Sequence, residues 1–134
     1  MRYGRWRRVR IVKSLQSKVC VDGSNMKEFV LDEALTEEFL SFLESFGAVK
    51  RYSHLRRPYF SFEQQNFISV KGFLGDSTVE VRYAKVGADL TKDYFHLLLF
   101  YFRDGDAGIR KMQGIAESIR AKMKVRLSGT GEAT

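Results

Sequence analysis

The sequence predicts an α+β domain: a single mostly antiparallel, curved sheet of about five strands with two helices, in the order β-α-β4-α. Three observations carry this. Leu35, Phe39, Phe42, Leu43 and Phe46 recur at helical spacing and make one apolar stripe. Val79, Val81 and Tyr83 alternate with Thr78, Glu80, Arg82 and Ala84, the pattern of a strand that wets one face. From 94 to 102, Tyr-Phe-His-Leu-Leu-Leu-Phe-Tyr-Phe runs nine residues without Gly, Pro or a formal charge. Apolar on both faces of a strand, that run predicts the central strand, covered on both sides.

Taken in order, residues 1–8 show no periodicity and are expected to form a flexible basic arm. Residues 9–126 form the domain. From Val9 to Val21 the β-branched content rises, and a phase slip near Val12-Lys13 predicts one bulged strand or two short ones. Asp22-Gly23-Ser24-Asn25 reads as a turn. The first helix is expected over Asp32 to Phe46, capped by Asp32 or Thr36 and stopped by Gly47. Strands are expected over Ala48 to His54, Tyr59 to Glu63, Phe67 to Leu74 and Thr78 to Lys85. Pro58 marks an edge or bend, Gln64-Gln65-Asn66 and Gly75-Asp76-Ser77 are hairpin turns, and Val86 to Asp93 is a loop. After the 94–102 strand, Ile109, Met112, Ala116, Ile119 and Met123 repeat at 3-4-3-4 spacing and define the second helix. Residues 127–134, with Gly129 and Gly131, are expected to be a flexible tail.

A strand, a helix, an antiparallel run and a closing helix resembles the TATA-binding-protein-like and helix-grip folds. In those folds a curved sheet wraps a long C-terminal helix. The resemblance lies in element order, and it implies no site residues.

The bulk properties narrow the class of protein. A chain of 134 residues is the length of one domain and buries a core without covalent staples. Eleven Phe against one Pro argue for an ordered interior. One cysteine, Cys20, excludes an intrachain disulfide and fits a reducing compartment, the expected location being cytoplasmic. No apolar run approaches the roughly 20 residues that span a bilayer, and Val9-Arg10-Ile11-Val12-Lys13 breaks any signal-peptide core.

The formal charge is +7, and its placement is uneven. Arg2, Arg5, Arg7, Arg8, Arg10, Lys13 and Lys18 precede the first acid, Asp22. Lys50, Arg51, Arg56 and Arg57 form a second basic group, and residues 110–126 a third. Acids concentrate between Asp22 and Glu44. A basic arm and a basic face are the expectation.

Catalytic and metal motifs are missing. The two histidines, His54 and His96, have no Cys or His neighbour at zinc-ligand spacing. Asp104-x-Asp106-x-Gly108 opens like a calcium loop, but Ile115 stands where a bidentate Glu is required. No nucleophile elbow or phosphate loop is present. The expectation is therefore a non-catalytic binding module with no metal and no cofactor.

Basic and aromatic residues together point to a single-stranded nucleic acid or another polyanion, because cations track phosphates while rings stack on bases. The candidates are Arg5, Trp6, Arg7, Arg8 and Arg10 in the arm, with Lys50, Arg51, Tyr52, Arg56, Arg57 and Tyr59 around Pro58. An alternative is a small amphipathic ligand held between sheet and C-terminal helix by Tyr83, Tyr94, His96, Tyr101, Met112 and Met123. A third reading is a protein-protein adaptor, with a homodimer or another protein as partner.

Overall fold

The computed structural model describes residues 8–21, 23–85 and 87–132, with side chains described as far as Arg126. Arg5, Trp6 and Arg7 lie outside the described residues, as do residues 1–4 of the arm and 133–134 of the tail; of the arm only Arg8 is described.

The fold is α+β, with one antiparallel sheet of six strands in the order β1-β2-β6-β5-β4-β3. The strands are β1 (Ile11–Val19), β2 (Asn25–Leu31), β3 (Ala48–Tyr52), β4 (Tyr59–Gln64), β5 (Ile68–Phe73) and β6 (Thr78–Tyr83). The helices are α1 (Glu37–Leu43), α2 (Ala88–Thr91), α3 (Tyr94–Tyr101) and α4 (Gly105–Glu132), with a 3-10 turn at Phe102–Asp104. The β3–β6 meander meets the β1–β2 hairpin through the β2–β6 pairing.

Alternation along each strand divides the sheet into two faces. Phe60, Phe62, Ile68, Val70, Val79, Val81 and Phe29 share the buried face and join one core cluster with α1, α3 and α4. Thr36 caps α1, its Oγ1 accepting from the Phe39 N–H at 3.2 Å, and Phe39, Leu40, Phe42 and Leu43 face inward. The helix is shorter than the expected 32–46 span. Gly47 ends the segment under steric pressure, because a Cβ there would strike the Glu63 carbonyl oxygen on β4. β1 is a single strand with register shifts between Ile11 and Lys13 and between Ser14 and Gln16. β2 has no counterpart among the expected strands. Its alternation is obscured by Met26 and Val30 on one face and Lys27 on the other.

The run 94–102 is not a strand. Tyr94–Tyr101 is helix α3, lying on the sheet beside α4. Its buried residues, Tyr94, Phe95, Leu98 and Leu99, with Phe102 beyond, follow a 1-3-1-3 spacing that belongs to a helix. The exposed positions are His96 and Phe100, so the outward side also carries rings and the helical period is hidden in the sequence. Phe100 is 45% exposed, against its expected place in the core. Phe95 stacks on Phe29 of β2 with centroids 6.0 Å apart, and Tyr94 meets Phe67 edge-on at 5.3 Å.

α4 then crosses back with Met112, Ala116, Ile119 and Met123 buried and its other sides wet. It continues to Glu132. Gly108 lets it start close to α3, since a Cβ there would collide with the Tyr101 carbonyl oxygen. Among the described residues no helix is long and apolar enough to cross a membrane.

Candidate nucleic-acid interface

Every helix lies on one face of the sheet, which leaves the residues of opposite parity on the other. Register aligns them in rows across the strands. Tyr52 pairs with Tyr59 and Tyr59 with Phe73, so three rings stand side by side on β3, β4 and β5. Ring centroids are 5.9 Å apart for Tyr52 and Tyr59 and 4.8 Å for Tyr59 and Phe73. All three are half-buried by one another and by neighbouring chain, with part of each ring open. Two residues further along, the next row reads Lys50, Ser61, Lys71 and Glu80. The row after that holds Ala48, Glu63, Ser69 and Arg82.

The β3–β4 connection borders the ring row on its other side. His54 meets Tyr52 edge-on at 6.4 Å, and Leu55 and Arg56 are exposed. Tyr52, His54, Leu55, Tyr59, Ser61 and Lys71 enclose a shallow open hollow of about 300 Å³. Arg57 lies over the Phe73 ring, 4.5 Å from its centroid, and pairs with Asp76 at 3.0 Å. That hydrogen bond from Arg57 holds the Asp76 carboxyl below its ordinary range, assisted by the Ser77 and Thr78 N–H groups and opposed by desolvation. Burial raises the Tyr59 hydroxyl above its ordinary value, with Glu80 and then Tyr52 adding to the shift. Its ring is therefore neutral over the physiological range.

Chemically, this face offers flat, neutral stacking surfaces with Lys50 and Lys71 on one side and Arg56 on the other. The same face also carries Glu63, Glu80 and, through the β2–β6 pairing, Glu28, which stand against Lys50, Lys71 and Arg82. The cations are therefore concentrated beside the rings on β3 and β5 and not over the whole face. Flat neutral rings beside cations are the two features that stacking on bases and contact with phosphates require.

The other candidates are placed elsewhere. Strand alternation sends Arg51 to the helical side, away from its neighbours Lys50 and Tyr52. There its Nε donates to Glu37 Oε1 at 3.1 Å and its Nη1 to Glu44 Oε2 at 3.0 Å. Glu44 first, and then Glu37, raises the Arg51 pKa, so this cation ties β3 to α1. Arg8 lies in the helical layer, its guanidinium 3.8 Å from the Phe100 ring centroid. It donates to the Phe100 carbonyl and to Asp104 Oδ1, the latter at 3.2 Å. Arg10 is bound to Asp32 through its backbone N–H at 2.9 Å and through Nε at 3.6 Å.

The six residues expected to line a ligand pocket do not share one. Met112 is fully buried and, with Phe95 and Leu98, fills the space between sheet and helices. His96 is exposed and Tyr101 half-buried on α3. Tyr83 and Tyr94 are buried; the Tyr83 hydroxyl has no hydrogen-bond partner among the described residues, while the Tyr94 hydroxyl lies against the Gln64 side chain. Burial, with the Asp93 charge adding, pushes the Tyr83 hydroxyl up to about 12. Phe73 and Lys71 belong to the open-face cluster but were not legible as site residues. Their alternation with Val70 and Gly72 was the available signal. Among the described residues no group of His, Cys, Asp and Glu is arranged to hold a metal ion.

Fold and face together define an α+β domain whose sheet is covered on one side and carries a lysine-bordered aromatic row on the other. Compared with known proteins, the chain matches no family model, no curated protein and no solved structure.

Proposed function

We propose that this protein is a non-catalytic module that binds single-stranded nucleic acid on the open face of its sheet. In this reading bases stack on Tyr52, Tyr59 and Phe73, while Lys50, Lys71 and Arg56 contact phosphates. The cross-strand ring row supports the reading. A sheet that needed only solubility on this face would carry short polar residues there, not three adjacent rings beside lysines. Arg8, Arg10, Arg51 and Arg57 have carboxylate partners within the fold and act as ties, with Arg57 also shielding one side of Phe73. The lone thiol of Cys20 favours a reducing compartment, the cytoplasm.

The test is fluorescence anisotropy with a labelled single strand of about 10 nucleotides, within the site sizes such platforms cover. Affinity is expected to fall with salt. Changing Lys50 and Lys71 together to Ala flattens the logarithmic slope by about 1.4, at roughly 0.7 per phosphate contact. No binding at low salt, or a slope unaffected by the double change, contradicts the proposal.

A second reading, a second copy of this chain paired along β1, has its own support. β1 is an edge strand on which Val12 and Val19 are 64% and 71% exposed. The register shifts at Val12 and Leu15 and the presence of Lys13 and Lys18 oppose continuous pairing, and so place this reading second. Sedimentation measured across concentration separates it, because a paired edge makes a dimer and the first reading does not need one.

A further inference from the structure

Arg57 ends the ring row. Its guanidinium carbon lies 4.5 Å from the Phe73 centroid, so the row runs Tyr52, Tyr59, Phe73 and then a planar cation. Nη2 of the same group donates to Asp76 Oδ2 at 3.0 Å. The guanidinium therefore covers one face of Phe73 on which a base would stack, and a carboxylate holds it there.

The two partners differ in their freedom to move. Asp76 is fixed by the β5–β6 turn. Its Oδ1 accepts from the Ser77 N–H at 2.8 Å and its own N–H donates to the Phe73 carbonyl at 3.1 Å. Its carbonyl accepts from the Leu35 N–H at 2.8 Å. Arg57 is anchored through the backbone beside it, where the Pro58 carbonyl accepts from the Leu74 N–H at 2.9 Å. Its side chain is 58% exposed, against 35% for Asp76. Release of the pair thus needs only rotation of a long side chain on a fixed backbone.

The hold is weak and the alternative partner is better. An ion pair this open to solvent contributes little, and a cation-π contact at an exposed site adds little more. Asp76 also offers a single oxygen, because Oδ1 is occupied by the Ser77 N–H. A phosphate presents two oxygens to the guanidinium fork and accepts parallel hydrogen bonds from it. A strand stacked on Tyr52 and Tyr59 that continues towards β5 brings its next phosphate to this end of the row. The differential affinity needed to move Arg57 is therefore supplied by the ligand itself.

We infer that Arg57 is a latch on the third ring: paired with Asp76 it covers Phe73 in the free protein, and on binding it exchanges Asp76 for a phosphate of the strand and uncovers the ring. The inference rests on the nucleic-acid reading of the open face and adds to it the residue that admits a base to Phe73.

The test is fluorescence anisotropy of the labelled single strand across salt concentrations, with Arg57→Ala, Asp76→Asn and the two combined. Asn at 76 keeps an acceptor for the Ser77 N–H and removes the charge that holds Arg57. Asp76→Asn should tighten binding about threefold, within the worth of an exposed ion pair. Arg57→Ala should weaken binding severalfold and flatten the logarithmic salt slope by about 0.7, one phosphate contact. In the combined variant Asp76→Asn should add nothing to Arg57→Ala, because no arginine is left to release. If Asp76→Asn tightens binding equally with and without Arg57, it acts by its charge alone and the latch is overturned. The latch is also overturned if Arg57→Ala binds as tightly as the unaltered protein or more tightly, since Arg57 then only shields Phe73. Binding that Lys50→Ala with Lys71→Ala weakens but Arg57→Ala does not ends the latch alone. No binding by the unaltered protein ends the open-face reading and the latch together.

Discussion

Tyr59 on β4 meets Phe73 on β5 edge-on across the strand boundary, with ring centroids 4.8 Å apart and planes inclined at 62°. The two stand on the face that no helix covers, and Tyr52 extends the contact onto β3. Their mutual contact holds each ring in place before any ligand arrives. A ligand ring that stacks there does not have to order them. The Tyr59→Ala protein should therefore lose about 1–3 kcal/mol of oligonucleotide affinity while its salt slope stays nearly constant. Anisotropy at several salt concentrations separates the two quantities. An equal loss from slope and intercept would mean that Tyr59 supports the fold of the face and not stacking.

The helical assignment of 94–101 separates two neighbouring residues that a strand would place together. Leu98 is fully buried, whereas Phe100 is 45% exposed and partly covered by Arg8. Leu98→Ala should cost about 2–5 kcal/mol by leaving a cavity. Phe100→Ala should cost about 1 kcal/mol or less, mostly the lost contact with Arg8. Chemical denaturation of the two variants checks this, and equal losses would return the segment to a strand buried on both faces.

Gly108 occupies the second turn of α4, where alanine normally favours a helix by about 1 kcal/mol. Here the effect should reverse. A Cβ at 108 would overlap the Tyr101 carbonyl oxygen, and relief requires α4 to move away from α3. Gly108→Ala should lower the melting midpoint. An unchanged or higher midpoint would mean the two helices are not in close contact at that point.

Alkaline stability should report on Tyr83. Its hydroxyl is raised to about 12 in the folded protein by burial, with Asp93 adding, against an unfolded value of about 10. Between those values the folded state binds more protons than the unfolded one, so stability falls as pH rises from about 10 towards 12. Tyr83→Phe removes the titrating group and a hydroxyl that lacks a partner. Neutral-pH stability should be little changed by that substitution, and the alkaline decline should be shallower. Denaturant midpoints at neutral pH and across the alkaline range test both statements.

The strands from β3 to β6 were legible because their polar positions are wet and their turns carry Gly, Asn and Asp. Of the two expected caps, Asp32 and Thr36, the helix uses Thr36, so α1 starts later than the expected span. What could not be read was decided by packing. α3 presents His96 and Phe100 outward, so nothing polar marks its exposed side, and a continuous apolar run has no period to measure. β2 lies between the hairpin partner β1 and β6, and Lys27 on its helical face breaks the alternation. Two bulges in β1 accord with the phase slip visible near Val12-Lys13. For the candidate site, composition identified the basic-aromatic neighbourhood of Pro58 but not its sides. Arg51 turns to α1 because its carboxylate partners Glu37 and Glu44 lie there. Phe73 and Lys71 join Tyr59 through register, which one strand's sequence does not contain.

The central claim is that a single strand lies across Tyr52, Tyr59 and Phe73, and backbone amide chemical shifts during oligonucleotide titration test it most directly. The account predicts the largest changes at Lys50, Tyr52, Tyr59, Ser61, Lys71 and Phe73, with α1 and the buried stripe of α4 unaffected. Changes confined to the helical face, or no saturable change at low salt, would contradict it.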